Sequence, residues 1–178
     1  KLMEVQAGLG SPLGLITHDV GVVAGTCDEV SVLYGGKVME QGDTDRVFRT
    51  PTNPYTMGLK NAFPEVDEFD EQAISIPGSL PDLTEEPTSC VFSNRCPFAT
   101  DECEASHPDL VAANEQLSAC HHIDDANGMR ERAADPETWG IDIRDETERT
   151  GEVGDVILET DRLEKWFEQP QGILDDFR

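Results

Sequence analysis

Four cysteines, Cys90, Cys96, Cys103 and Cys120, fall within 31 residues of one another. Thiolates gathered in this way are ligands for soft metals and iron–sulfur clusters. Lys1-Leu2-Met3-Glu4 does not open a signal peptide, and no stretch approaches the roughly 18 apolar residues of a membrane span. The expected setting is therefore cytoplasmic and reducing, where cysteines serve as buried thiols or metal ligands more than as disulfides. The spacing, C-x5-C-x6-C-x16-C, lacks the C-x2-C knuckle of structural zinc sites, and Pro97 directly after Cys96 suits a cluster loop. Iron–sulfur ligation leads on this reading. Zinc, with His107, His121 or His122 in place of one thiolate, and free or disulfide-bonded thiols stay open. The fifth cysteine, Cys27, falls on an apolar helix face and is expected in the core.

A second candidate is His18, at the end of the apolar run Leu13-Gly14-Leu15-Ile16-Thr17. An imidazole at the carboxyl end of a strand, beside a helix amino terminus, lies where open α/β sheets hold phosphate groups. On spacing alone such a histidine is more often structural. The 178 residues contain no Gly-x-x-x-x-Gly-Lys-Ser/Thr loop, and Gly35-Gly36-Lys37 has neither that spacing nor a helix after it. No apolar strand ends in paired acidic residues to hold magnesium. His18 alone cannot hydrolyse a nucleotide.

These residues need elements to position them. The run 13–17 predicts a buried strand, and Asp19 caps a helix whose apolar face is Val20, Val23, Ala24 and Cys27. Val30–Tyr34 and Lys37–Gln41, joined by Gly35-Gly36, predict a hairpin. Asp43 caps a short helix with Val47 and Phe48, and Asn53-Pro54 opens another that runs through Ala62 and stops at Pro64. From Glu65 to His122, Pro77, Pro81, Pro87, Pro97 and Pro108 break up any long element. Metal binding would there supply the stability that a small core does not. Residues 124–155, poor in apolar groups, read as an acidic linker with a brief ordered contact at Trp139-Gly140-Ile141, and a strand pattern resumes at Val156.

Charge separates the segments further. The chain has 13 basic and 37 acidic residues, net -24, which argues against nucleic acid or an anionic membrane as partner. Residues 63–123 hold 13 acidic groups and one basic group, Arg95. A diffuse acidic surplus of this kind is the composition of a surface adapted to high salt, where repulsion is screened.

Leu15-Ile16-Thr17-His18-Asp19-Val20-Gly21-Val22-Val23-Ala24, with Cys27-Asp28-Glu29-Val30 and Tyr34-Gly35-Gly36-Lys37-Val38-Met39-Glu40-Gln41-Gly42, resembles the last third of ABC transporter ATP-binding domains. Asn53-Pro54-Tyr55-Thr56-Met57-Gly58-Leu59 and Ile76-Pro77-Gly78-Ser79-Leu80-Pro81-Asp82-Leu83 are similar to the tail of the dipeptide, oligopeptide and nickel importer branch, which commonly has His where Asn53 stands. Val156–Phe167 is similar to the opening strand of another cassette.

The resemblance implies an α/β fold: the truncated C-terminal part of an ABC cassette at 1–62, a loop-rich cysteine module at 63–123, the acidic linker at 124–155 and a second cassette starting at 156–178. It implies that His18 contacts the terminal phosphate of ATP bound with Mg, that Trp166 stacks on adenine, and that Cys90, Cys96, Cys103 and Cys120 hold a [4Fe-4S] cluster, with zinc the alternative. The implied activity is ATP-driven import of di- or oligopeptides, or nickel, at the inner face of the cell membrane. Implied partners are membrane subunits, a second ATP-binding cassette and, indirectly, an extracytoplasmic peptide-binding protein. A metal-binding or regulatory module without catalysis, or the remnant of a split gene, is the competing reading.

Overall fold

A computed structural model of the chain describes residues 12–63, 73–81 and 86–141, with residues 8, 10 and 84 besides. Asp19 caps α1 (Val20–Thr26) by accepting a hydrogen bond from the Val22 backbone N–H at 3.0 Å. Strands β1 (Glu29–Tyr34) and β2 (Lys37–Asp43) form the expected hairpin. Gly35 and Gly36 take φ of 56° and 75°, the left-handed backbone that a two-residue hairpin turn requires and that glycine adopts without strain. Two capped helices follow. Asp43 accepts from Arg46 N at the start of α2 (Thr44–Arg49), and Asn53 accepts from Tyr55 N at the start of α3 (Pro54–Asn61).

The pairing register slips within the hairpin: Val32 lies opposite Glu40, but Leu33 lies opposite Val38. Met39 is the extra residue. A bulge breaks the alternation of faces, so the neighbours Met39 and Glu40 are both buried. Met39 enters the apolar core and Glu40 turns to the amino end of α3.

The cysteine-bearing segment contributes a 3₁₀ turn (Ser93–Arg95), α4 (Asp101–Ala105), β3 (Val111–Ala113) and β4 (Gln116–Ser118). β4 pairs antiparallel with β2 as well as with β3, giving one sheet of order β1-β2-β4-β3. Helices packed with a four-stranded antiparallel sheet accord with the α/β expectation. The joining of β4 to β2 has no local signal, because pairing between strands so far apart is decided by tertiary contact.

Three expectations are corrected. Residues 13–17 are not a strand, and Ile16 is fully exposed. An apolar, β-branched run becomes a strand only when a neighbour takes its N–H and C=O groups, and none of the described strands does so. Cys27 is not in the core: it is the half-buried residue that ends α1, a helix with no buried residue.

The third correction concerns 124–141. This stretch is not linker: α5 (Ala126–Ala133) and a 3₁₀ turn (Pro136–Trp139) bury Met129, Ala133 and Trp139 against Tyr34, Met39, Met57, Ile74, Val91 and Phe92. Burying residues as large as Met129 and Trp139 contributes about 2–3 kcal/mol each, enough to hold a segment whose exposed face is acidic. Trp139 is 4 % exposed and donates from Nε1 to Ala133 O at 2.8 Å. A side chain's first carbon at Gly58 in α3 would meet Ile76 and Trp139 at 2.7 Å, so only glycine lets both lie on that helix. The contact expected at Trp139 and Ile141 is present. The cysteine segment thus shares a core with the hairpin, α3 and α5, and does not depend on a metal for all its stability. Pro64 and the resumed strand pattern after Val156, including Trp166, lie outside the described residues. Among the described residues no helix is long and apolar enough to cross a membrane.

Candidate metal centre

The four cysteines come from different elements. Cys90 precedes the first 3₁₀ turn and Cys96 ends it, while Ser93 N donates to Cys90 O at 3.0 Å and Cys96 N to Ser93 O at 3.3 Å. Cys103 lies within α4, and its carbonyl accepts from Cys90 N at 2.8 Å. Cys120 follows β4. The residue before it is clamped: Ala119 N donates to Met39 O, and Ala119 O accepts from Asn53 Nδ2, both at 2.8 Å. Asn53 is therefore more than a helix cap. Its Oδ1 starts α3 while its Nδ2 ties Cys120's neighbour to the hairpin.

All four thiols line one narrow recess of about 20 Å³, with Met39 and Phe92 among its walls. None is in a disulfide. Burial pushes the Cys96 thiol up to about 12, and the neighbouring thiols of Cys120, Cys90 and Cys103 push it the same way. Cys120 is raised to about 11 by burial first and then by Cys103 and Cys90. Burial also raises Cys90, with Cys103 adding to it. The thiols thus feel one another's charge. Without a cation Cys90, Cys96 and Cys120 stay protonated at neutral pH and are poor nucleophiles.

Backbone donors face the sulfurs. His122 N donates to Cys120 Sγ at 3.4 Å. The N–H groups of Phe92 and Phe98 favour the thiolates of Cys90 and Cys96 in the same i to i+2 relation, with Ser93 N adding to the first. Such donors stabilise anionic sulfur, the form that binds metal. Among the described residues no three His, Cys, Asp or Glu side chains are close enough together to hold a single metal ion.

Of the three histidines, only His122 reaches a thiol, with Nε2 3.6 Å from Cys103 Sγ and 3.1 Å from Thr100 Oγ1. His121 instead faces Glu102 Oε1 at 3.4 Å and Ser106 O at 3.0 Å. His107 Nδ1 is buried without a partner, and burial, followed by Lys37 and His121, lowers its pKa. His18 is exposed, one residue before the α1 cap, and shares no described contact with the cysteines. Sequence reasoning missed Thr100, Gln116 and Glu40. Thr100 stands three residues before a helical cysteine, a spacing that could have shown it. The roles of Gln116 and Glu40 depend on a pairing between distant strands and left no local sign.

Residues 39–103 match the family model described as the oligopeptide/dipeptide transporter C-terminal region. The chain is 43% identical over 120 residues to the oligopeptide transport ATP-binding protein OppD of Haemophilus influenzae, covering 67% of this chain and 37% of that protein. It is 40% identical over 127 residues to the dipeptide transport ATP-binding protein DppD of Escherichia coli, covering 70% and 39%. A putative peptide import ATP-binding protein of Brucella ovis is 38% identical over 120 residues, covering 64% and 36%. The chain spans less than two fifths of the length of these curated relatives. By these matches residues 39–103 are similar to the C-terminal region of the oligopeptide/dipeptide transporter family, and about two thirds of the chain is similar to ATP-binding proteins of peptide transport.

Proposed function

We propose that the chain is part of the ATP-binding subunit of an importer for di- or oligopeptides, working at the inner face of the membrane with membrane subunits, a second ATP-binding cassette and, through them, a peptide-binding protein. The observation that carries this is the 40–43% identity to the oligopeptide and dipeptide transport proteins. Nickel remains the alternative cargo within the same branch. In the complete protein, His18 contacts the terminal phosphate of ATP held with Mg. The test is His18→Ala in the full-length protein. Turnover falls roughly tenfold or more while nucleotide affinity changes by less than about twofold, because the contact matters most as charge develops in the transition state. Equal losses of binding and turnover would remove His18 from that role.

The same proposal assigns Cys90, Cys96, Cys103 and Cys120 to one [4Fe-4S] cluster. The donor set fits: four thiols and no carboxylate around one recess, free of disulfides, with N–H groups aimed at sulfur. Zinc is the weaker occupant, since the four are not drawn in as tightly as a single ion requires. A cluster is bulkier than the recess, so the loaded state is wider than the one described. When bound, the cluster would supply one-electron chemistry and a cross-link between the 90–103 segment and the sheet. Anaerobic purification is expected to give a brown protein with about four irons per chain, lost on Cys→Ser at any of the four positions. Zinc instead of iron keeps the site and changes the occupant; neither metal bound refutes the assignment.

A further inference from the structure

Cys120 Sγ takes its donor from the backbone two residues on, at His122 N, and the N–H groups of Phe92 and Phe98 favour the thiolates of Cys90 and Cys96 from the same position in the chain. Cys103 cannot take one there. It lies inside α4, and Ala105, two residues on, is also helical, so its N–H points along the axis to the preceding turn. The helix is fixed independently of the sulfur: Cys103 N donates to Thr100 O, Ser106 N donates to Glu102 O, and Cys103 O accepts from Cys90 N. The fourth sulfur would lack a donor if nothing else supplied one.

Two side chains stand in that place. His122 Nε2 is 3.6 Å and Thr100 Oγ1 3.7 Å from Cys103 Sγ, and the two lie 3.1 Å from each other. We propose that His122, with Thr100, replaces the missing backbone donor, so that every sulfur of the set has one, and that this pair positions Cys103 and sets how readily a cluster held there is reduced. His122 has a place in both halves of the arrangement, its N–H on Cys120 and its ring on Cys103. It thereby couples the end of the sheet to α4. Hydrogen bonds to cluster sulfur favour the reduced, more negative state, and removing one moves the potential down. His122 is a positioning residue on this account, not a ligand. On this account the ring nitrogen that faces the thiol carries the proton.

The inference rests on the cluster reading, and the experiment separates the two. Midpoint potentials are measured by protein-film voltammetry on the anaerobically loaded chain and its His122→Leu, His122→Gln and Thr100→Val variants. His122→Leu shifts the potential to a more negative value. Thr100→Val shifts it less, and His122→Gln, whose amide N–H reaches the same place, restores it. A His122→Leu potential equal to that of the unaltered chain overturns the proposal. So does loss of the cluster in both His122 variants with unchanged circular dichroism, which would make His122 a ligand. If the unaltered chain takes up no iron, the cluster reading fails, and the donor is read in the metal-free chain from imidazole ¹⁵N shifts. Nε2 protonated, with a shift that moves in Cys103→Ala, supports the donor; the proton on Nδ1 overturns it.

Discussion

Replacing Glu40 by alanine is expected to lower the stability of the chain by about 3–5 kcal/mol, enough to unfold many domains of this size. Glu40 is wholly buried in β2, yet no Lys or Arg among the described residues forms an ion pair with it. Its charge is met by donors: Thr52 N and Thr52 Oγ1 at 2.6 Å and Gln116 Nε2 at 2.8 Å on Oε1, and Asn53 N at 3.3 Å on Oε2. These belong to the start of α3 and to β4, so one carboxylate joins the hairpin, the helix and the strand that precedes Cys120. Alanine takes this acceptor from Thr52 N, Thr52 Oγ1 and Asn53 N, while Gln116 Nε2 keeps Thr50 O, and each buried group left unmet costs about 1–3 kcal/mol. Urea unfolding measures the loss, and a change under about 1 kcal/mol would refute the hub role.

The same residue gives a pH dependence of definite sign. Burial raises the Glu40 pKa above its ordinary 4.5, against the pull of its hydrogen bonds. The folded state therefore holds the proton more tightly than the unfolded state. This contribution is fully present below the unfolded pKa and is lost as pH rises through the folded one. Glu40→Gln removes the titration. The stability of the unaltered chain relative to Glu40→Gln should thus be greater at about pH 5 than at about pH 8. The opposite slope would mean that the donors outweigh burial.

Arg95→Ala is expected to cost about 2–3 kcal/mol and to release residues 74–78 from the hairpin. Arg95 donates from Nε to Pro77 O at 2.8 Å, from Nη2 to Ile76 O at 2.9 Å and from Nη1 to the Tyr34 hydroxyl at 3.0 Å. Its guanidinium also lies 5.7 Å from the centre of the Tyr34 ring. That ring packs with Tyr55 and Phe92 at 4.5 and 5.4 Å between centres. A planar fork serves all three acceptors at once, which an ammonium cannot do, so Arg95→Lys should recover less than about half the loss. Hydrogen exchange should show Ile74 N, which donates to Asn61 O at 2.9 Å, less protected in both variants. Unchanged protection there would confine Arg95 to a surface role. The only basic residue among 63–123 thus does structural service within an acidic segment.

Local chemistry alone was enough for the hairpin and the caps at Asp19, Asp43 and Asn53. A Gly-Gly pair between strand-like runs, or an Asp or Asn before a helix, acts over a few residues and is read from those residues. The four cysteines were legible by type and spacing for the same reason. The segment 124–141 was misread because its composition reports its wet face, whereas Met129, Ala133 and Trp139, three residues among many charged ones, find a core made mostly by others.

What only the tertiary structure decided is how these parts meet. The bulge at Met39 turns Glu40 inward, and that carboxylate then serves donors up to 76 positions away. β4 joins β2 and so brings Cys120 to Cys90, Cys96 and Cys103. Whether Cys103 has a backbone donor follows from its being in a helix, and which side chain replaces that donor follows from where β4 delivers His122. Backbone geometry over three or four residues is set by the residues themselves, but contacts between segments far apart in the chain depend on the whole core into which they pack. The identities of the four candidate thiols were therefore written in the sequence, and their common recess and its hydrogen bonds were made by the fold.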